Sequence, residues 1–107
     1  MPSCVRSFNI VSGSPNPNGT AAVLYTTCTS SHNNQAQWST NDDSTTYTVT
    51  LPTDTFSPPS GSTNTFSVSK NNPSGVYTVL STATDGSHGY TISPSLSADP
   101  PTVEIDS

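Results

Sequence analysis

The chain is short of charge, and of positive charge above all: Arg6 and Lys70 are the only cations among 107 residues, against seven carboxylates, for a net charge of −5. Without a basic surface there is nothing to neutralise phosphates, which excludes a nucleic-acid partner. The same shortage disfavours an anionic membrane surface. No run of 18 apolar residues is present, so the sequence predicts no membrane insertion. The first residues, Met1-Pro-Ser-Cys-Val-Arg6, have no apolar core of signal-peptide length. Either a targeting segment has been removed or the protein stays inside the cell.

Large aliphatic and aromatic residues are also scarce. Leu, Ile, Val and Phe together make 18 of the 107 residues, a share low enough to raise the question of disorder. Two observations oppose it: the charged fraction is only 8 %, whereas disordered chains usually carry a high net charge, and the apolar residues recur with a period of two. Uninterrupted helical windows are missing as well, because Gly, Pro, Ser and Thr break every candidate. What remains is one domain over residues 1–107, made of strands.

The strands are read from alternation. Cys4, Phe8 and Ile10 share a face of the first, with Arg6 the polar exception, and a turn from Ser14 ends it. The second, from about Thr20 to Thr29, puts Ala22, Leu24 and Cys28 on one side and Ala21, Val23 and Tyr25 on the other, as a central strand would. Ala36, Trp38 and Thr40 alternate with Gln35, Gln37 and Ser39, and Tyr47, Val49 and Leu51 alternate with Thr46, Thr48 and Thr50. Pro52 stops that strand, and Thr53 to Thr63, with Pro58-Pro59 and Gly61, reads as an exposed connection. Phe66 and Val68 form a short strand, Val76 to Ala83 a long one, Asp85 to Gly89 a hairpin loop, and Tyr90 with Ile92 and Val103 with Ile105 the last two strands.

So thin a core calls for added stabilisation. Cys4 and Cys28, if bridged, close a loop worth roughly 3.5 kcal/mol in the chain-entropy account; the alternative is two separate buried thiols. A bridge implies an oxidising compartment, extracellular or at the cell surface.

The stretch from Trp38 through Asn41-Asp42-Asp43-Ser44 to Tyr47-Thr-Val-Thr50, then a Pro-rich link, Phe66-Ser-Val68 and Gly75-Val-Tyr77-Thr-Val79, resembles the cupredoxin pattern and that of small bacterial Ig-like or cupredoxin-like domains. The resemblance implies an antiparallel Greek-key β-sandwich of seven to eight strands. It implies no copper site here, because Tyr47 stands where a copper-binding His is found and no Cys or second His follows Gly75-Val-Tyr77 in the pattern a blue-copper centre needs. An antibody-type domain is disfavoured, since both cysteines precede Trp38.

Several constellations admit a functional and a structural reading. Asp42, Asp43 and Asp85, with Asn41 or Asp54, supply oxygen ligands of the type calcium takes, but also the residues that build turns. His88, Asp85 and Ser87 hold the residue types of a hydrolytic triad without the spacing that would orient them. His32 and His88 form a zinc pair only if their loops meet. Tyr25 and Tyr90 are the candidates for a sugar-stacking platform, with core packing as the alternative. Asn18-Gly-Thr20 is a glycosylation sequon. The strands Thr45 to Leu51 and Thr63 to Ser69 combine high β-propensity with almost no charge, which suits edge pairing with another chain.

The sequence therefore predicts a non-catalytic, cofactor-free extracellular structural module that forms a homo-oligomer or polymer through strand edges or termini. The alternative is a carbohydrate-binding or adhesion module built on Tyr25, Tyr90 and the Asp loops, with calcium as a possible aid.

Overall fold

The computed structural model describes residues 4–13, 22–96 and 100–107. The turn from Ser14, the sequon at Asn18 and the break at Asp99 lie outside the described residues. Among those residues the regular elements are all strands: β1 (Val5–Ile10), β2 (Ala22–Tyr25), β3 (Gln35–Thr40), β4 (Tyr47–Thr50), β5 (Phe56–Ser57), β6 (Thr65–Val68), β7 (Tyr77–Val79), β8 (Gly86–Gly89), β9 (Thr91–Ser93) and β10 (Thr102–Asp106). Alternation places β3, β4 and β10 because each buries one face: Ala36, Trp38 and Thr40 on β3, Tyr47 and Val49 on β4, Val103 and Ile105 on β10.

Three sheets result, with strand orders β1-β3-β7-β5, β2-β10-β8 and β6-β4-β9. Only Tyr90 separates β8 from β9, so the two three-stranded sheets run into one another along a single stretch of chain. Together they bury one continuous apolar cluster against the four-stranded sheet, an arrangement consistent with a β-sandwich.

The expected pattern of seven to eight antiparallel strands differs from this in two respects. First, β1 pairs with β3 and β10 pairs with β2 in parallel. The chain leaves the four-stranded sheet after β1, forms β2 in another sheet and returns as β3, and such a crossover is the connection parallel pairing requires. Second, the strands are shorter and more numerous than alternation suggested. The long strand Val76 to Ala83 reduces to Tyr77–Val79, the supposed hairpin loop at Asp85 contains β8, and the Pro-rich connection holds β5, which pairs with β7. Of the strand expected over Thr20 to Thr29, Thr20 and Ala21 lie outside the described residues and the rest forms β2 only as far as Tyr25; among the described residues β2 ends its sheet instead of lying at its centre.

The centre of the core is Trp38, fully buried on β3. Edge-on rings surround it at centroid distances of 4.8 Å for Phe8, 6.0 Å for Phe56, 6.2 Å for Tyr77 and 5.8 Å for Tyr90, with Phe66 tilted at 5.7 Å. Such edge-to-face pairs add to the stabilisation that burial alone provides. Buried polar side chains serve the backbone. Ser74 Oγ accepts from the Trp38 N–H at 2.9 Å while the Trp38 carbonyl accepts from the Ser74 N–H, extending the β3 contact beyond the end of β7. No buried side-chain nitrogen or oxygen among the described residues lacks a hydrogen-bond partner.

Cys4 and Cys28 form a disulfide with a Cα separation of 5.4 Å. The two strands they flank lie in different sheets, so the bridge ties the start of β1 to the loop after β2. No helix long and apolar enough to cross a membrane occurs among the described residues. The bridge and that observation are compatible with a secreted or extracellular protein.

Candidate functional site

Asp42 follows β3 in the turn that leads to β4, where a short polar side chain can bond to the backbone just ahead of it. Its Oδ1 accepts from the Ser44 N–H at 3.0 Å and the Ser44 hydroxyl at 2.9 Å, and its Oδ2 accepts from the Tyr47 hydroxyl at 2.9 Å. Those donors, the Ser44 amide first, hold the carboxyl down to about 2 from its ordinary 3.8. Burial, with the Asp42 carboxylate next, raises the Tyr47 phenol. The position that the cupredoxin resemblance gives to a metal-binding His is thus occupied by a phenol hydrogen-bonded to a turn carboxylate.

The other acidic candidates are placed apart from this arrangement. Asp43 is exposed and lies 3.8 Å from Lys70, a surface pair of little energetic weight. Asp85 is exposed and accepts from the Ser107 hydroxyl at 3.2 Å. No group of three or more His, Cys, Asp or Glu that could hold a metal ion is assembled among the described residues.

His88 does not turn toward Asp85 and Ser87. It sits on β8 with Nε2 2.7 Å from the Thr84 carbonyl, which can only accept, so Nε2 carries the proton. Nδ1 lies 3.1 Å from the hydroxyl of Thr55, a fully buried residue whose Oγ1 is also 3.0 Å from Asp54 Oδ1. This Asp54-Thr55-His88-Thr84 chain fastens the β4–β5 connection to β8. Its hydroxyl has no access to a substrate, which suits a structural clasp better than a nucleophile.

Of the two candidate aromatic residues, Tyr90 is only 4 % exposed. It packs on Trp38, its hydroxyl lies 3.4 Å from Trp38 Nε1, and burial raises its phenol. Its ring therefore belongs to the core; its shared parity with buried Ile92 is the signal that marks it so. Tyr25 is half-buried at the end of β2 and stacks on His32, with ring centroids 3.7 Å apart and planes 7° apart. The loop between them is closed by Tyr25 N–H to the Asn33 carbonyl and Thr29 N–H to the His32 carbonyl, both 2.9 Å, and carries Cys28 within it. The sequence gives no hint of this stack, since seven positions separate its partners.

A cleft of about 300 Å³ opens beside the Asp42 turn, lined by Asn9, Ile10, Val11, Ser12, Asn41 and Asp42. Among the described residues Val11 is one of two large apolar side chains that stand exposed; Val23 on β2 is the other. The cleft joins the end of β1 to the turn after β3, two segments that only the parallel β1–β3 pairing brings side by side.

Comparison with family models, with curated proteins and with solved structures found no match.

Proposed function

We propose that this chain is a non-catalytic extracellular structural module that associates with copies of itself. The observation that carries this reading is the contrast between a closed apolar core and sheet faces covered by uncharged hydroxyls: every outward residue of β4, β6 and β9 is Ser or Thr. Surfaces of that kind do not repel identical copies, and strands without charge lack the usual guard against edge-to-edge pairing.

Edge chemistry narrows the route. Pro58 and Pro59 follow β5 and cannot donate to an added strand. On β6, the hydrogen bond from Leu51 N–H to the Asn64 carbonyl directs residues 64, 66 and 68 toward β4, so the backbone of Thr65 and Ser67 points away. Thr63 Oγ1 already contacts both the Thr65 carbonyl and its N–H, and Ser69 is closed into a turn with Asn72. Among the described residues β2 is the other end strand of the second layer; the Asn33 carbonyl takes its Tyr25 N–H, and it presents exposed Val23 on a segment free of charge and proline. Copies therefore meet along β2. Light scattering over a wide concentration range tests this: the native chain should gain mass with concentration and Val23→Lys should stay monomeric. A native chain that is monomeric throughout overturns the reading.

Parallel pairs in both layers depart from the all-antiparallel sheets of an antibody-type constant domain. Of the two topologies that the sequence resemblance implies, they favour the cupredoxin-like one, without its copper chemistry.

A second reading rests on the Tyr25–His32 stack, whose half-exposed rings sit beside Asn33 and Asn34 as in sites that hold sugars. Glycan-array binding that disappears in Tyr25→Ala would favour it. An array with no retained glycan would remove it.

A further inference from the structure

We infer that His88 is an acid-sensing group. A proton taken up at its Nδ1 completes the Asp54-Thr55-His88-Thr84 chain and tightens a fastening between the two layers, a role independent of the association along β2. Thr55 leads into β5 of the four-stranded sheet and His88 lies on β8 of the other layer, so their contact spans the sandwich.

The observation is a mismatch between donors and acceptors. The Thr84 carbonyl, 2.7 Å from Nε2, can only accept, which places the one proton of a neutral ring on Nε2 and leaves Nδ1 a bare lone pair. Facing Nδ1 at 3.1 Å is the Thr55 hydroxyl, and that hydroxyl is also 3.0 Å from Asp54 Oδ1. It has one proton for two acceptors. Whichever acceptor it serves, the other contact sets one lone pair against another. Thr55 is fully buried, which keeps bulk water from relieving the conflict at its oxygen.

A ring protonated at both nitrogens removes the mismatch. Nδ1–H then donates to Thr55 Oγ1, the Thr55 hydroxyl donates to Asp54 and Nε2–H stays on Thr84, so three donors meet three acceptors. The positive charge that arrives with the proton is answered by the Asp54 carboxylate.

The groups that face the ring from its neighbours do not oppose that charge. Asp85 precedes β8 and accepts from the Ser107 hydroxyl. On β10, Val103 stands opposite His88, while Glu104 is opposite Ser87 and belongs to the other face. Tyr90, two positions on, has its phenol against Trp38. Of the chain's two cations, Lys70 faces Asp43, and Arg6 lies on β1, at the opposite edge of the four-stranded sheet from β5. The folded chain therefore gives this proton a place that the unfolded chain does not. The gain is present in acid and is lost as the pH rises through the range in which imidazoles titrate.

The test is amide exchange followed by NMR on the whole chain, with the intrinsic effect of pH on exchange removed. It is read at Phe56 and at Leu80, whose N–H donates to the Thr55 carbonyl at 2.9 Å. From about pH 8 to about pH 5, a window clear of the Asp42 carboxyl, protection of these amides should rise roughly tenfold in the native chain and in His32→Gln. It should stay level in His88→Gln and in Thr55→Val, which keeps the shape and removes the hydroxyl. Nitrogen chemical shifts of the native ring need no variant to fold: they should show Nε2 alone protonated at the upper pH and both nitrogens protonated at the lower. A neutral ring with its proton on Nδ1 overturns the inference. So does native protection that is the same at both pH values, or a rise that persists in His88→Gln or Thr55→Val.

Discussion

Asn64 shows how much a single polar side chain does in a core with few large apolar groups. Its Nδ2 donates to the carbonyls of Leu51, Pro52 and Phe56 at 3.4, 3.2 and 3.1 Å, which stitches the exit of β4 to β5. Asn64→Ala strands those carbonyls in a buried place and should cost roughly 1–3 kcal/mol of stability, measured by urea unfolding with Trp38 fluorescence as the signal. Asn64→Asp should be at least as harmful, because a carboxylate cannot donate to a carbonyl. Asp42 acts at the same scale through its proton. Its carboxyl is depressed in the folded chain to about 2, so its contribution to stability is complete above the unfolded value near 3.8 and is lost as the pH falls through 2. An acid titration of the melting temperature should therefore show a decline between pH 4 and 2 that is shallower in Asp42→Asn, and equal slopes would refute the assignment.

At the scale of elements, the edges matter most. β6 has the β-propensity and neutrality of a strand that invites pairing, yet Thr63 occupies the backbone groups of Thr65 and the turn at Asn72 closes Ser69. Thr63→Val removes the hydroxyl and keeps the shape. It should open a second edge, increasing the mass seen by light scattering over that of the native chain. A similar closeness operates where β7 begins: a Cβ on Gly75 would stand 2.9 Å from Pro59 Cγ, so this glycine lets the Pro-rich connection lie against the strand. Neither device shows in hydrophobic periodicity, which reports the two faces of a strand and is silent about its edges. Much of the strand set is nevertheless legible. β3 and β4 are visible from Ala36-x-Trp38 and Tyr47-x-Val49, because each strand buries one face and leaves the other to Gln, Ser and Thr. β5 and β8 are not legible: two residues beside a Pro-Pro pair, and a Gly-Ser-His-Gly segment, carry no apolar alternation to read.

For the molecule as a whole, the disulfide supplies what a small core does not. Cys4 and Cys28 are 24 positions apart, and closing a loop of that length should stabilise the fold by roughly 3 to 4 kcal/mol through restriction of the unfolded chain. The double variant Cys4→Ser/Cys28→Ser should lose stability of that order in urea unfolding, and a loss below about 1 kcal/mol would show that the bridge does not act through chain entropy.

The amino-acid sequence alone determined that the chain is built of strands, that Trp38, Tyr47 and Val49 face inward, and which two cysteines were available to pair, because burial alternation and residue chemistry are local properties. Strand direction, the Tyr25–His32 stack, the cleft beside Asp42 and the Asp54-Thr55-His88-Thr84 chain were decided only by the tertiary structure. Each depends on which distant segments become neighbours, and period-two alternation looks the same whether a strand's neighbour runs parallel or antiparallel to it.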